Sequence, residues 1–258
     1  MRIVKHIVYF YLNERIPYIN RILEEADKYP YETDVYLHTN NMVLRKDVFQ
    51  KYSNGEFHII HHNLINKDPY SLTEKPRPFM ALQRDMYDIF IYLEDDILIP
   101  TNTISYWLRY EPMLTDLKYN LGFLRIETSK KDGREYVTDL YQEKMDKKIT
   151  IGDKQFCIND KNPYCACWIY SKKEFERFVD SRFYNIKNMD YGEDTRAACA
   201  AGLHGRGSDW YKCTVIPLIN GQPMVDCKIY HLANNYVDAD HSGINKFGTI
   251  LFDECFRS

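Results

Sequence analysis

Residues 88–96 read Asp-Ile-Phe-Ile-Tyr-Leu-Glu-Asp-Asp, so that five apolar or aromatic residues run directly into three consecutive carboxylates. The apolar residues are rich in β-formers and predict a buried strand at 89–93. Three acids at the end of a buried strand repel one another and resist desolvation. Two interpretations follow from this segment alone: a solvated acidic turn, or a site where oxygen ligands bind a divalent cation.

Strand and helix signals alternate through the first third of the chain. The predicted strands are 3–11, 34–39, 57–61 and 89–93. The predicted helices are 16–26, where apolar residues recur at helical spacing and Asn13 is the candidate cap, and a stretch that follows Pro76 and Pro78 and ends near Tyr87. This alternation predicts an α/β fold with a mixed, mostly parallel sheet flanked by helices, in which a nucleotide binds at the carboxyl ends of the strands.

The second half of the chain is less regular. The predicted elements are a helix at 101–114 capped by Thr101, a strand at 121–126, a hairpin excursion over 129–160 with turns at 130–133 and 151–154, a strand at 165–170, and helices at 172–179 and 193–201. No internal repeat, low-complexity linker or composition break interrupts residues 1–258. We therefore expect a single domain with two lobes.

Composition excludes several classes of protein. The chain has 258 residues, with 34 basic and 37 acidic residues and a net charge of −3, so nucleic acid is not an expected partner. No apolar run approaches the roughly 20 residues that span a bilayer, and no secretory signal begins the sequence, which predicts a cytoplasmic protein without stable membrane insertion. The 22 tyrosines favour sugar binding only slightly, because ordinary cores use them too.

A second acidic motif, Gly192-Glu193-Asp194, opens the helix predicted at 193–201. Carboxylates at a helix N-terminus are favoured by the helix dipole and the free amides, which by itself explains the pattern. The functional interpretation is a general base, because a hydroxyl nucleophile needs a group that takes its proton as it attacks.

His231 follows an apolar strand late in the chain. Such a histidine is most often a satisfied structural residue. Beside an acidic triplet, its neutral imidazole is also a candidate ligand for Mn²⁺ or a similar ion. The polar and aromatic segment that follows, residues 234–248, is either a flap that closes on a ligand or an ordered terminus.

The order of these motifs resembles the GT-A class of metal-dependent glycosyltransferases that use nucleotide sugars, and it is similar to the family-2 type. In that class an acidic motif after a strand binds metal and ribose, a later motif supplies the base in inverting members, and a C-terminal His completes the metal shell. The matching positions are Glu94-Asp95-Asp96, Glu193-Asp194 and His231. The compact form also resembles cytoplasmic enzymes that build viral or bacterial surface glycans, such as capsid-glycan transferases of large DNA viruses, for which the compartment would be the host cytoplasm.

The resemblance implies a hexosyl- or pentosyltransferase with a UDP- or GDP-sugar donor, UDP being favoured, and a glycan acceptor. It implies that residues 1–100 bind the nucleotide sugar and that residues 101–258 carry the acceptor site and the base. Asp96 and His231 would hold Mn²⁺, or alternatively Mg²⁺. Because the first acid is Glu rather than Asp, Glu94 would contact ribose or metal-bound water, while Asp95 has the least defined role. Asp194 is favoured over the adjacent Glu193 as the base.

The resemblance also implies a set of binding residues beyond the motifs. The candidates for donor contacts are Tyr11, Asn13, Arg15, Thr39, Asn40, Arg77 and Lys246. Tyr164 and Trp168 are the candidates for the pocket of the sugar and acceptor, with core packing as the alternative.

Other functions remain open from the sequence. A nucleotidyltransferase shares the sheet and the acidic site, although the loop after the first strand (residues 11–15) has no glycine to bind phosphate. A glycosidase also uses two carboxylates but needs neither metal nor nucleotide. A non-catalytic carbohydrate-binding protein would retain the aromatic residues and could lose the base.

Overall fold

The computed structural model describes residues 1–10, 13–64, 68–239 and 248–257. These residues form two compact units, each with its own sheet structure. Unit 1 contains residues 1–97 and 166–208, and unit 2 contains residues 98–165 and 209–258. No helix in the described ranges has the length and hydrophobicity that crossing a lipid bilayer requires.

The helices and strands agree with the predicted alternation. The helices are α1 (Ile16–Ala26), α2 (Pro76–Leu82), α3 (Thr101–Leu114), α4 (Lys172–Val179) and α5 (Thr195–Ala201). The strands are β1 (Arg2–Tyr9), β2 (Glu32–Thr39), β3 (Phe57–His61), β4 (Ile89–Glu94), β5 (Ile97–Leu98), β6 (Tyr119–Leu121), β7 (Leu124–Thr128), β8 (Glu135–Val137), β9 (Lys148–Ile151), β10 (Lys154–Asn159), β11 (Cys167–Ser171), β12 (Cys213–Ile219), β13 (Gln222–Pro223), β14 (Lys228–His231) and β15 (Ile250–Leu251).

The sheet of unit 1 has the strand order β3-β2-β1-β4-β11. β1, β2, β3 and β4 run parallel, and β11 pairs antiparallel with β4. β4 lies between β1 and β11 and is buried along its whole length. Burial on both faces of the sheet explains its apolar run. The predicted α/β fold with a mixed, mostly parallel sheet is therefore confirmed.

Helices cover both faces of this sheet. Lys5 and His6 are neighbours in β1, so their side chains lie on opposite faces. Lys5 donates a hydrogen bond from Nζ to the hydroxyl of Tyr29, just after α1, over 2.7 Å. His6 contacts Gln83, just after α2, at 2.9 Å. Because α1 buries Ile19, Ile22, Leu23 and Ala26 at helical spacing, its apolar stripe faces the sheet.

A chain of three hydrogen-bonded imidazoles crosses the α2 face of the sheet. His6 Nδ1 lies 2.8 Å from His38 Nε2, and His38 Nδ1 lies 2.9 Å from His62 Nε2. His6 Nε2 contacts the Gln83 side-chain oxygen, so each ring donates one hydrogen bond along the chain. His6 and His38 are fully buried. Burial lowers the pKa of His6 to about 3 despite the opposing hydrogen bond that His6 donates to Gln83, and it lowers the pKa of His62 to about 4. These rings are therefore neutral around pH 7.

Unit 2 is mostly antiparallel. One sheet has the strand order β13-β12-β10-β9, and β6 pairs with β12 beside this path. The other sheet has the order β15-β8-β7-β14-β5. Its last strand, β5, is the two-residue strand at which the chain enters this unit. The two predicted turns are confirmed: residues 130–133 join β7 to β8, and Gly152-Asp153 joins β9 to β10, both as antiparallel pairs.

The strand predicted at 121–126 is instead two strands that belong to different sheets. β6 ends at Leu121 and pairs with β12, whereas β7 begins at Leu124 and pairs with β8 and β14. Gly122 lies between them, and a Cβ added there would lie 2.7 Å from Thr214 Cγ2. Close approach of the neighbouring strand therefore requires glycine where the sequence suggested a continuous strand.

The capping residues predicted for α1 and α3 differ from the observed ones, although both helices have the predicted bounds. The N-cap of α1 is Arg15, without a side-chain cap, and Asn13 begins a preceding 3-10 turn. Thr101 is the first residue of α3, and its N-cap is Pro100. α2 ends at Leu82 rather than near residue 87. Local preferences did not decide these caps or the end of α2, because tertiary context can override local propensity.

The compact units differ from the two contiguous halves expected at 1–100 and 101–258. The first boundary lies close to the expected position, but residues 166–208 belong to unit 1. The reason is that β11 returns to pair with β4, and α4 and α5 follow it. Glu193 and Asp194 consequently lie in the same unit as the acidic triplet.

Candidate active site

The acidic triplet lies at the carboxyl edge of the parallel strands of unit 1. Glu94 is the last residue of β4, and Asp95 and Asp96 form the turn that follows. All three side chains are buried, with at most 2% of each residue exposed. The solvated-turn interpretation is therefore wrong, and the carboxylates need compensating charge within the protein.

Arg15 supplies that charge to two of the three carboxylates. Its Nη1 donates to Asp96 Oδ2 over 2.7 Å and also to Asp95 Oδ1. The backbone N–H of Phe10, the residue after β1, donates to the other Asp95 oxygen over 3.1 Å. Burial, followed by repulsion from Asp96, raises the pKa of Asp95 to about 7, although Arg15 and the amide oppose this rise. Burial acts to lower the pKa of Arg15, but the two aspartates outweigh it and the pKa is raised.

Arg196 pairs with the third carboxylate. Its Nε lies 2.9 Å from each Glu94 oxygen, and its Nη2 also donates to Oε2, so the pair is bidentate. The guanidinium carbon lies 5.5 Å from the ring centre of Phe10 and 5.7 Å from that of Tyr70. Sequence reasoning missed Arg196. The available signal was its place two residues after Asp194, on the same helix start.

Asp194 is the N-cap of α5. Its Oδ1 accepts a hydrogen bond from the backbone N–H of Ala197 over 2.9 Å, and its carbonyl accepts from Ala198. Both Glu193 and Asp194 are exposed. The capping explanation is thus correct for Asp194. Capping is also compatible with a role as general base, because the hydrogen bond to Ala197 holds the carboxylate in place at the surface. The hydrogen bonds between Arg196 and Glu94 connect the start of α5 to the acidic triplet.

The donor chemistry of the triplet suits Mn²⁺ or Mg²⁺, since both prefer carboxylate oxygens. The arrangement does not suit them, because Asp95 and Asp96 share the guanidinium of Arg15 and Glu94 is held by Arg196. Within the part of the chain that the structure describes, no group of three or more His, Cys, Asp or Glu side chains could hold a metal ion. The side chains present therefore form ion pairs with arginines rather than a metal-ligand set.

His231 lies in unit 2, at the end of β14. Its Nδ1 lies 2.5 Å from Oε1 of the buried Glu127, and its ring packs against Tyr236 at 5.2 Å. Glu127 also accepts hydrogen bonds from the backbone N–H groups of residues 235–237. A carboxylate on Nδ1 directs the lone pair of a neutral imidazole to Nε2, the tautomer that suits a metal ligand. A shared metal with Asp96 stays a prediction.

The predicted donor-binding residues have different placements. Arg77 is buried and donates from Nη1 to the backbone carbonyls of Phe183 and Tyr184, so its contacts are structural rather than exposed to a ribose. Thr39 is buried at the end of β2, with Asn40 just beyond it, and Asn13 is exposed. Tyr11 and Lys246 lie outside the described residues.

The two predicted pocket aromatics also differ. Trp168, in β11, is 1% exposed, stacks on Tyr92 and Tyr170, and donates from Nε1 to the carbonyl of Cys199 over 3.1 Å. It is a core residue of unit 1, which corrects its assignment to a sugar pocket. Tyr164 lies in unit 2, where its half-buried ring is 5.6 Å from the guanidinium of Arg125.

Comparison with known proteins leaves the family open. No family model matches the sequence. No curated protein matches it. One similar solved structure is the crystal structure of S. aureus TarS 1–349, with a TM-score of 0.43 and 11% sequence identity, covering 90% of this chain. The match spans 61% of that longer chain.

Proposed function

We propose that this chain is an inverting glycosyltransferase that moves a sugar from a nucleotide-sugar donor, with UDP favoured, to a hydroxyl of a glycan acceptor. One observation carries the proposal: the bidentate Arg196–Glu94 pair joins the helix start bearing Asp194 to the acidic turn. That turn lies at the carboxyl edge of a parallel sheet, where α/β proteins bind nucleotides. A surface carboxylate and the sheet edge to which we assign the nucleotide thus belong to one unit.

Asp194 serves as the general base in this proposal. The acceptor hydroxyl loses its proton to the carboxylate as its oxygen attacks the sugar from the face opposite the leaving group, which inverts the configuration. The α5 amide that Asp194 caps limits the rotation of the carboxylate. Glu193, its exposed neighbour, is the alternative base.

Two guanidinium groups at the same edge support departure of a nucleoside diphosphate. The side chains of Arg15 and Arg196 are 21% and 35% exposed, while their carboxylate partners are buried. Positive groups held at this edge offset the negative charge that develops on the leaving group. The predicted divalent metal stays a prediction, because Asp95 and Asp96 are paired with Arg15, and no step here depends on it.

Asp194→Asn tests the assignment of the base. Asparagine caps a helix about as well as aspartate, so we expect unchanged thermal stability and UDP binding. We expect transfer to fall by about 10²–10⁴-fold, since the variant cannot accept the proton. The measurement is UDP release from a panel of UDP-sugars with glycan acceptors, after a melting curve has established folding.

Glu193→Gln is the matched control, and it should retain transfer. Unchanged turnover in Asp194→Asn would remove Asp194 from the base role, and loss of turnover only in Glu193→Gln would transfer that role to its neighbour. Thermal stabilisation of the wild type by free glycans, with no effect of UDP or GDP, would instead favour a carbohydrate-binding protein.

A further inference from the structure

A single nitrogen holds together the two aspartates of the acidic turn. Arg15 Nη1 is within hydrogen-bond distance of Asp95 Oδ1 and Asp96 Oδ2, and both carboxylates are almost completely buried. Without a cation, two such adjacent carboxylates could not both ionise at low cost, because burial and mutual repulsion each disfavour the charged forms. Arg15 is therefore the counter-ion on which this turn depends.

A divalent ion would have to use the same oxygens. Mn²⁺ or Mg²⁺ coordinates carboxylate oxygens at about 2.0–2.2 Å, closer than the 2.7 Å between Arg15 Nη1 and Asp96 Oδ2. A guanidinium nitrogen and a metal cannot share one gap between two carboxylates, since like charges at that separation repel. Occupation by one cation consequently excludes the other.

We propose that Arg15 is the resident cation of the Asp95–Asp96 pair, and that a divalent ion binds this pair only by displacing it. This deepens the proposed function, because it makes any metal at the donor site subject to exchange with a residue of the chain itself. Arg15 is suited to exchange, since its side chain is partly exposed and lies in a three-residue 3-10 turn at the start of α1. Arg196 remains on Glu94 throughout.

The test compares the wild type with Arg15→Gln in Mn²⁺ titration calorimetry and in melting curves, with no sugar nucleotide or acceptor present. We expect the variant to melt at a lower temperature than the wild type in chelator and to recover stability when Mn²⁺ is added. We expect its Mn²⁺ affinity to exceed that of the wild type by about tenfold or more, because binding no longer requires breaking a charged hydrogen-bond pair.

Two further variants locate the effect. Arg45→Gln, which removes an exposed arginine of the same unit, should leave Mn²⁺ affinity at the wild-type value. Adding Asp95→Asn to Arg15→Gln should abolish the gain in affinity. If Arg15→Gln does not fold in chelator, refolding with Mn²⁺ replaces the melting curve, and recovery of folded protein is the expected result.

Equal Mn²⁺ affinity in the wild type and in Arg15→Gln would overturn the proposal. So would the absence of Mn²⁺ binding to both proteins, or a failure of Mn²⁺ to restore the folded state of the variant. Because no transfer is measured, these outcomes are distinct from failure of the proposed function. A protein without transferase activity could still show the exchange, and an active transferase could lack it.

Discussion

Acidification should destabilise unit 1 through the buried imidazole chain. In the folded protein the pKa of His6 is about 3, against an ordinary value of 6.5, because burial disfavours the charged ring. Below pH 6.5 the unfolded chain therefore binds a proton that the folded protein excludes. By linkage, the free energy of unfolding rises with pH across the window between about 3 and 6.5 and falls as pH decreases through it.

The size of this effect follows from the two pKa values of His6. Near pH 5 the slope for one such ring is about 1.4 kcal/mol per pH unit, so that His6 alone removes about 2 kcal/mol of stability between pH 7.5 and pH 5. His38 and His62 act in the same direction, because burial lowers both of their pKa values. Asp95, whose pKa is raised, acts in the opposite direction, so the net slope of the wild type is not diagnostic.

His6→Gln isolates the contribution of one ring. The amide can still hydrogen-bond to His38 and Gln83, but it does not titrate, so the slope should fall by about 1.4 kcal/mol per pH unit near pH 5. The assay is urea unfolding at pH 7.5, 6.5, 5.5 and 5.0. Ile7→Val is the control, since it costs about 1 kcal/mol in the same strand without changing a titrating group. Identical slopes for His6→Gln and the wild type would refute the reasoning.

Two further predictions concern stability. Arg196→Ala should lower the free energy of unfolding by about 2 kcal/mol, because it leaves the buried Glu94 carboxylate without its guanidinium. In urea unfolding, the double variant Arg196→Ala/Glu94→Gln should recover part of that loss. No recovery would show that the pair is not coupled. Trp168→Phe should cost about 1–2 kcal/mol, through the lost hydrogen bond to Cys199, and should leave transfer intact below its melting temperature. Lost transfer with an unchanged melting curve would contradict the core assignment and restore Trp168 to a sugar pocket.

Local patterns were sufficient for many of the elements. The bounds predicted for α1, α3, α4 and β3 agree with the structure, because each segment carries its own periodicity or β-forming composition. The position of the acidic triplet at the end of a buried strand was also predictable from the apolar run before it, although β4 includes Glu94 as its last residue. Both hairpin turns were found from their Lys, Asp and Gly residues, which favour turns wherever they occur.

Pairing between distant segments was not predictable from such patterns. β11 resembled any short apolar strand, and only its antiparallel pairing with β4 brings residues 166–208 into unit 1. That pairing buries Trp168 against Tyr92, which removes it from the expected pocket. Sequence reasoning could not separate these outcomes, because a buried aromatic and a sugar-binding aromatic look alike along a chain.

The sequence by itself determined that three acids end a buried strand and that they require a positive partner, since charge and hydrophobicity are properties of the residues. Only the tertiary structure decided which partner they have. Arg15 reaches Asp95 and Asp96 from a distance of about 80 positions, and Arg196 reaches Glu94 from 102. The physical reason is that a guanidinium and a divalent cation satisfy the same electrostatic demand, and the folded chain places arginines there.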